Sequence, residues 1–387
     1  MNDTPPHADP EQPEAFDDSL RAENPQIQDF DAYFAEEQEM AERAARAPRT
    51  AAEDEEEVVI DSAVFSFNPA EGPVPTGTRC FAKEQADADR FFVGSSVPFR
   101  NMKGLGIVAG GTSLLNSPKY NRLVEEERLG LWAHFMAPTV AAESFGGLHL
   151  LVNSYDRAAF TFGFYQLAAH TPNENLILLF RALLGLRNAK AYFPDLSLSA
   201  DGRVTQQTAS GPKNLEREAQ VTLANGSRET QIPDFMAYLN PSVSRTDIRE
   251  VSNAAKMIHW VRRDPAAMNA SVLVPFAIMR KKIQRFTPIF GLAGKEPELA
   301  IWVSDLKHHG RGGRGVNDKI SAALREPSLD KKLAALSRID NFDDDHPQGV
   351  FKERRTTVET LINKLRSENR FAGVKFAEGP LSFTADA

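Results

Sequence analysis

The sequence predicts an α+β fold that is mostly helical, with a small β-hairpin and a short β arm. Three observations carry this expectation. From Phe235 to about Leu365, nearly every segment repeats apolar residues at helical spacing. Two β-rich runs, LHLLVNSYD and AAFTFGFYQL, flank Asp156 and Arg157 and read as a hairpin. Asp201–Gly202 and Asn225–Gly226 mark turns within the β-like stretch 195–232. Helical and β segments are segregated along the chain without a repeat period, which is the α+β pattern.

Residues 1–57 form an acidic N-terminal segment rich in Pro, Glu, Asp and Ala, with few groups to bury, and are expected to be disordered. A short helix is expected within them from Asp29 to Ala47, where Phe30, Tyr33, Phe34 and Met40 recur at near-helical spacing. The run Glu53 to Glu57 reads as a solvated linker. Residues 58–115 form a mixed strand and loop region that opens on the strand-like VVIDSAVFSF. The remainder, 116–387, is expected to be one domain with the β arm and a helical lobe. Asn116 is placed as the cap of a first long helix, with Pro118 in its first turn. Leu123, Leu129, Trp132, Phe135 and Met136 share one face of it, and Pro138 kinks or ends it. Pro172 opens the next helix, and others follow over 244–262, 266–286 and 296–309, with three amphipathic pieces to Arg366.

Charge and composition exclude several classes. The net charge is −8, but residues 1–60 carry 18 acids against 4 bases, and residues 61–387 carry 35 acids against 41 bases. The body is therefore mildly basic behind an acidic tail. A single cysteine, Cys80, excludes an intramolecular disulfide framework and multi-thiolate zinc fingers. No apolar run approaches the ~20 residues of a membrane helix. The N-terminus lacks the basic and apolar regions of a standard signal peptide. Basic residues are scattered rather than striped, which argues against a nucleic-acid binder. Neither a nucleic acid nor a membrane is expected as a partner.

The chemistry is concentrated in ESFGGLHLLVNSYDRAAFTFGFYQLAAH, from Glu143 to His170. Glu143 stands at the last turn of a long apolar helix, where partial desolvation favours a neutral acid. Asp156 stands at a hairpin tip, where water keeps it ionised. A proton donor and a water-activating carboxylate on opposite walls of a cleft are the parts of glycoside hydrolysis. Thr161 can hold the attacking water beside Asp156, Gly163 lets a sugar approach the strand backbone, Tyr165 can stack on a sugar ring, and Gln166 can meet an N-acetyl group. Adjacent His308 and His309 diverge by ~100° on a helix, so they and Asp305 are not expected to hold a metal. Arg311 and Arg314, in HHGRGGRG, read as a basic rim after a helix ended by Gly310.

The order helix, Glu143, hairpin, then Asp156, Thr161 and Gly163 in the pattern D-x-x-x-x-T-x-G resembles the catalytic core of the lysozyme superfamily. The Asp-to-Thr interval is similar to that of its chitosanase branch, and phage-type lysozymes carry a comparable pair. AIWVSDLKHHGRGG, residues 300–313, resembles the chitosanase helix that ends in His-Gly and backs the active site. The resemblance implies a lysozyme-like fold and inverting hydrolysis with Glu143 as acid, Asp156 as base and Thr161 as water holder. It also implies that His309, at that helix end, lies by the substrate; Arg311, in the basic rim, can meet an anionic polymer, and no cofactor or metal is expected. The basic body favours peptidoglycan, which carries peptide carboxylates, over the polycation chitosan. The rivals are a lytic transglycosylase, a chitosanase and a non-catalytic wall-binding protein on the same scaffold. An antibacterial effector of this kind, lacking a standard signal peptide, would reach the periplasm or cell wall by non-classical export. Its partners would be secretion machinery or a chaperone on the N-terminal segment, and an immunity protein.

Overall fold

The computed structural model describes residues 60, 62–68, 73–84, 89–99, 101–106, 119–144, 151–223, 226, 228–311, 315–342, 347, 349, 351–377 and 383–385. The expected helix 29–47 and the acidic run 53–57 lie outside them. Four strands come first: β1 (Phe65–Asn68), β2 (Arg79–Glu84), β3 (Arg90–Phe99) and β4 (Met102–Gly106). They form an antiparallel meander in chain order, so the early region is a sheet. Two short helices follow, α1 (Arg122–Leu129) and α2 (Leu131–Ser144). The Asn121 side chain caps α1, accepting the backbone N–H groups of Leu123 and Val124 at 2.9 and 3.3 Å. Gly130, at φ 56°, separates the pair. The break therefore falls at Gly130, while Pro138 stays inside α2. The expected cap, Asn116, and Pro118 lie outside the described residues.

Next come β5 (Val152–Asn153), β6 (Thr161–Phe162) and β7 (Leu167–Ala168), then α3 (Leu176–Leu184) and α4 (Ala189–Tyr192). The strands β8 (Leu196–Leu198), β9 (Val204–Thr208) and β10 (Gly211–Asn214) form one antiparallel sheet. The pair β11 (Ala219–Thr222) and β12 (Arg228–Gln231) forms a separate hairpin. Helices α5 (Pro233–Leu239), α6 (Ile248–Arg263), α7 (Pro265–Phe290), α8 (Pro297–His309), α9 (Val316–Ala323), α10 (Leu329–Ser337) and α11 (Lys352–Ser367) follow. The chain closes on β13 (Val374–Phe376) paired with β14 (Phe383–Ala385).

The described residues fall into two compact units. The larger holds 60–218 and 232–278, and the smaller holds 219–231 and 279–385. The single domain expected over 116–387 is therefore divided, and so is the β arm: β8–β10 belong to the larger unit, and β11–β12 to the smaller. Turn residues reveal where strands reverse but not which strands pair, and pairing decides the division.

In the larger unit, α6 lays Val251, Ala254, Ala255 and Ile258 along one face, all buried, as its periodicity demands. Trp260 stacks on Tyr192 with ring centroids 4.9 Å apart. His259 ties helix to sheet: its Nε2 lies 2.9 Å from Glu84 on β2, and its Nδ1 lies 3.0 Å from the Tyr192 hydroxyl. Two glycines let β4 press against the strand β5. A Cβ on Gly104 would fall 2.6 Å from the Ser154 backbone, and one on Gly106 would fall 2.7 Å from the Tyr155 ring. In the smaller unit Trp302, Leu306, Leu361, Leu365 and Phe376 are buried. No helix among the described residues is long and apolar enough to cross a membrane.

Candidate active site

Apart from Leu131, every residue of α2 is buried, so the helix is a rod inside the larger unit rather than a surface element. Glu143 occupies its last turn and is 5% exposed. An apolar rod fixes such a carboxyl in place, since packing locks the helix on all sides. Residues 145–150, which lead on to the ribbon, lie outside the described residues.

The ribbon is a three-stranded antiparallel sheet, β5–β6–β7, with only two residues in each strand. Asp156 sits in the connection between β5 and β6 and is part-exposed. Its Oδ1 accepts the Ala158 N–H at 2.8 Å and its carbonyl accepts the Ala159 N–H at 3.0 Å. This is an Asx turn, in which the aspartate shapes the loop that presents it. The turn-forming reading of Asp156 holds.

Short strands need side-chain help to hold register. The Thr161 hydroxyl lies 3.1 Å from the Asn153 carbonyl and 2.9 Å from Gln166 Oε1, donating to one at a time. Gln166 Nε2 donates to the Gly163 carbonyl at 2.8 Å and reaches the Leu151 carbonyl at 3.4 Å. These bonds clamp all three strands.

The clamp corrects four of the expected roles. Thr161 is 5% exposed with its proton committed inside the ribbon, so it fixes the sheet rather than holding a water. The Gln166 amide is spent on backbone carbonyls and does not reach outward for an N-acetyl group. Gly163 is buried at φ 83°, a left-handed conformation that the β6–β7 turn requires, and it opens no path for a sugar. Tyr165 is 1% exposed and belongs to the core, with no face for a ring to stack on. Glu143 ends the buried rod, and Asp156 lies on the part-exposed turn.

The other expected residues lie in the smaller unit. His309 is buried, with its ring edge-on to Phe351 at 4.5 Å. Arg311 is 0% exposed and lies 2.6 Å from Asp305, which also accepts Arg354 Nη2 at 2.7 Å. The expected basic rim is, at Arg311, the interior of the protein. Burial pulls Arg311 below its ordinary value, and Asp305 opposes that pull. Gly310 does end α8 in the left-handed conformation, as expected. Arg314 lies outside the described residues. Among the described residues, no group of three or more His, Cys, Asp or Glu is arranged to hold a metal ion.

A further buried acid escaped the sequence reading. Glu250, in the first turn of α6, is 0% exposed, and its Oε1 accepts the Ser154 hydroxyl at 3.3 Å. Ser154 Oγ in turn accepts the Leu105 N–H at 2.6 Å. Burial pushes the Glu250 carboxyl up to about 9, against the smaller opposing effect of Ser154, so it is neutral near pH 7. The signal was present: Glu250 lies four residues before Ala254 and eight before Ile258, on the apolar stripe itself. Cys80 is likewise buried, and its thiol is pushed up to about 12 by desolvation and the nearby Glu250, which leaves it no thiolate at neutral pH. Compared with protein-family models, curated proteins and solved structures, the chain matches none.

Proposed function

We propose that this chain is a lysozyme-like glycoside hydrolase that cleaves the amino-sugar backbone of peptidoglycan. Glu143 gives a proton to the leaving glycosidic oxygen, and Asp156 takes one from water attacking the opposite face of the sugar. The observation that carries this reading is a glutamate at the buried end of an apolar rod followed by a clamped ribbon that offers an aspartate on a part-exposed turn. Rod and ribbon hold their acids in unlike surroundings, and unlike surroundings let two carboxyls divide the acid and base roles. Thr161 and Gln166 serve as positioning residues, keeping the β5–β6 connection in register under Asp156.

The test is muropeptide release from purified sacculi, run beside soluble chitosan. Release with inversion at the new reducing end, lost in Glu143→Gln, supports the reading. Activity on chitosan alone overturns the substrate. Anhydro products with a tolerant Asp156→Asn mean a lytic transglycosylase, and unchanged biological effect of Glu143→Gln means a non-catalytic wall-binding protein. Delivery through a contact-dependent secretion system or a phage route accounts for the acidic N-terminal segment. Deleting residues 1–57 should then block export while hydrolysis in vitro persists.

A further inference from the structure

Helix α6 carries Arg249, Ser252, Asn253 and Lys256 at spacings of three and four, which puts them on one stripe. The stripe lines a cavity of about 410 Å³ in the larger unit, completed by residues of α5 and of the β8–β10 sheet. Most of the polar groups around it already have bonded partners. Lys213 Nζ lies 2.8 Å from Asp234, and Arg249 pairs with Asp247 at 3.6 Å. Asp195 accepts the Tyr238 hydroxyl at 2.9 Å and Gln206 Nε2 at 3.0 Å.

Lys256 is the exception. Among the described residues it makes no hydrogen bond and no ion pair, and its ammonium lies 5.2 Å from the centre of the Phe193 ring. A ring face supports the positive charge but accepts none of the three N–H bonds an ammonium can donate. Ser252, one turn away on the same stripe, likewise spends its hydroxyl on no described neighbour. The cavity's volume is that of a small-molecule site, but its lining is polar rather than apolar.

We propose that this cavity binds a small polyhydroxylated anion, with its carboxylate or phosphate on Lys256 and Ser252 and its hydroxyl groups on Asp195 and Gln206. A half-buried cation with no hydrogen bond or ion pair among the described residues favours an anionic group, and a wall of carboxylate and amide oxygens favours hydroxyl donors. Burial holds Lys256 below its ordinary value while Asp195 opposes this, and a bound anion would raise it further. None of the cavity's residues belongs to the Glu143 and Asp156 site, so this inference stands or falls separately from the hydrolase reading.

The experiment is calorimetric titration of the full chain with glucose 6-phosphate, gluconate and glucose. Either sugar anion should bind roughly 10- to 100-fold more tightly than glucose, and Lys256→Met should remove that margin. Phosphate and carboxylate sources are told apart by which of the two anions binds. Equal binding of all three, no binding of any, or an unchanged margin in Lys256→Met overturns the proposal. A second measurement on the unmutated chain guards against a variant that fails to fold. After reductive carbon-13 methylation, the Lys256 resonance should titrate at higher pH when the anion is saturating. An unmoved titration overturns the proposal.

Discussion

Two buried carboxyl groups, one in each unit, are held in opposite ways. In the smaller unit, Asp305 is fully buried and held between Arg311 at 2.6 Å and Arg354 at 2.7 Å. In the larger unit, Glu250 is fully buried with a serine hydroxyl as its bonded partner, and burial keeps it neutral. The difference shows that a buried acid has two stable solutions. It keeps its charge where cations converge on it, and it keeps its proton where only neutral donors reach it. Glu143, also buried, stands in the last turn of the apolar helix α2.

The sharpest way to separate these acids is one substitution made at each. Glu143→Gln should lower sacculus hydrolysis by roughly 10²- to 10⁴-fold, the range of a positioned acid–base group, with secondary structure by circular dichroism unchanged. Retained activity would move Glu143 from catalysis to structure. Asp305→Asn should destabilise the protein by about 3–5 kcal/mol in denaturant unfolding, because two buried arginines lose their counter-charge. Replacing Asp305, Arg311 and Arg354 together by apolar residues of similar volume should cost far less than that single change. If it costs more, the cluster holds more than its own charge.

Glu250→Gln probes the neutral solution. In the folded chain this carboxyl holds its proton up to about pH 9, whereas an unfolded chain releases it near its ordinary value of 4.5. Between those values the folded state binds the extra proton, so Glu250 makes stability fall as pH rises, by up to roughly 1.4 kcal/mol per pH unit. Below pH 4.5 both states are protonated and this penalty vanishes. The glutamine variant should therefore gain on the parent in melting temperature at pH 8 compared with pH 4. An equal difference at both values would show that Glu250 is ionised in the fold. The smallest effect belongs to the ribbon: Thr161→Val should lower stability by about 1 kcal/mol through loss of the clamp. Its hydrolytic loss should track misplacement of Asp156 rather than loss of a water ligand, seen as recovery in Thr161→Ser.

The helices were legible because they rest on local signals. The stripe Val251, Ala254, Ala255 and Ile258 and the Asp247 cap announce α6, and Pro297 and Gly310 bracket α8. The candidate pair was legible too, since Glu143 ends an apolar run and Asp156 shapes its own turn. The roles of their neighbours were not. A β-branched residue, a glycine and a glutamine on a strand look alike whether they face a cleft or clamp a ribbon, and only the bonds joining Thr161, Gln166 and Leu151 distinguish the two.

What the sequence determined by itself is what lies within a few residues along the chain: periodicity, caps, turns and the acidic character of the first 57 residues. Tertiary structure alone decided that the basic run after α8 turns Arg311 inward, that the β arm divides between two units, and that Lys256 lines a cavity with no hydrogen bond or ion pair among the described residues. The reason is physical. A charge becomes a buried pair, an exposed rim or an open binding group according to partners such as Arg354, 49 positions from Asp305, and no local pattern encodes which distant chain will arrive.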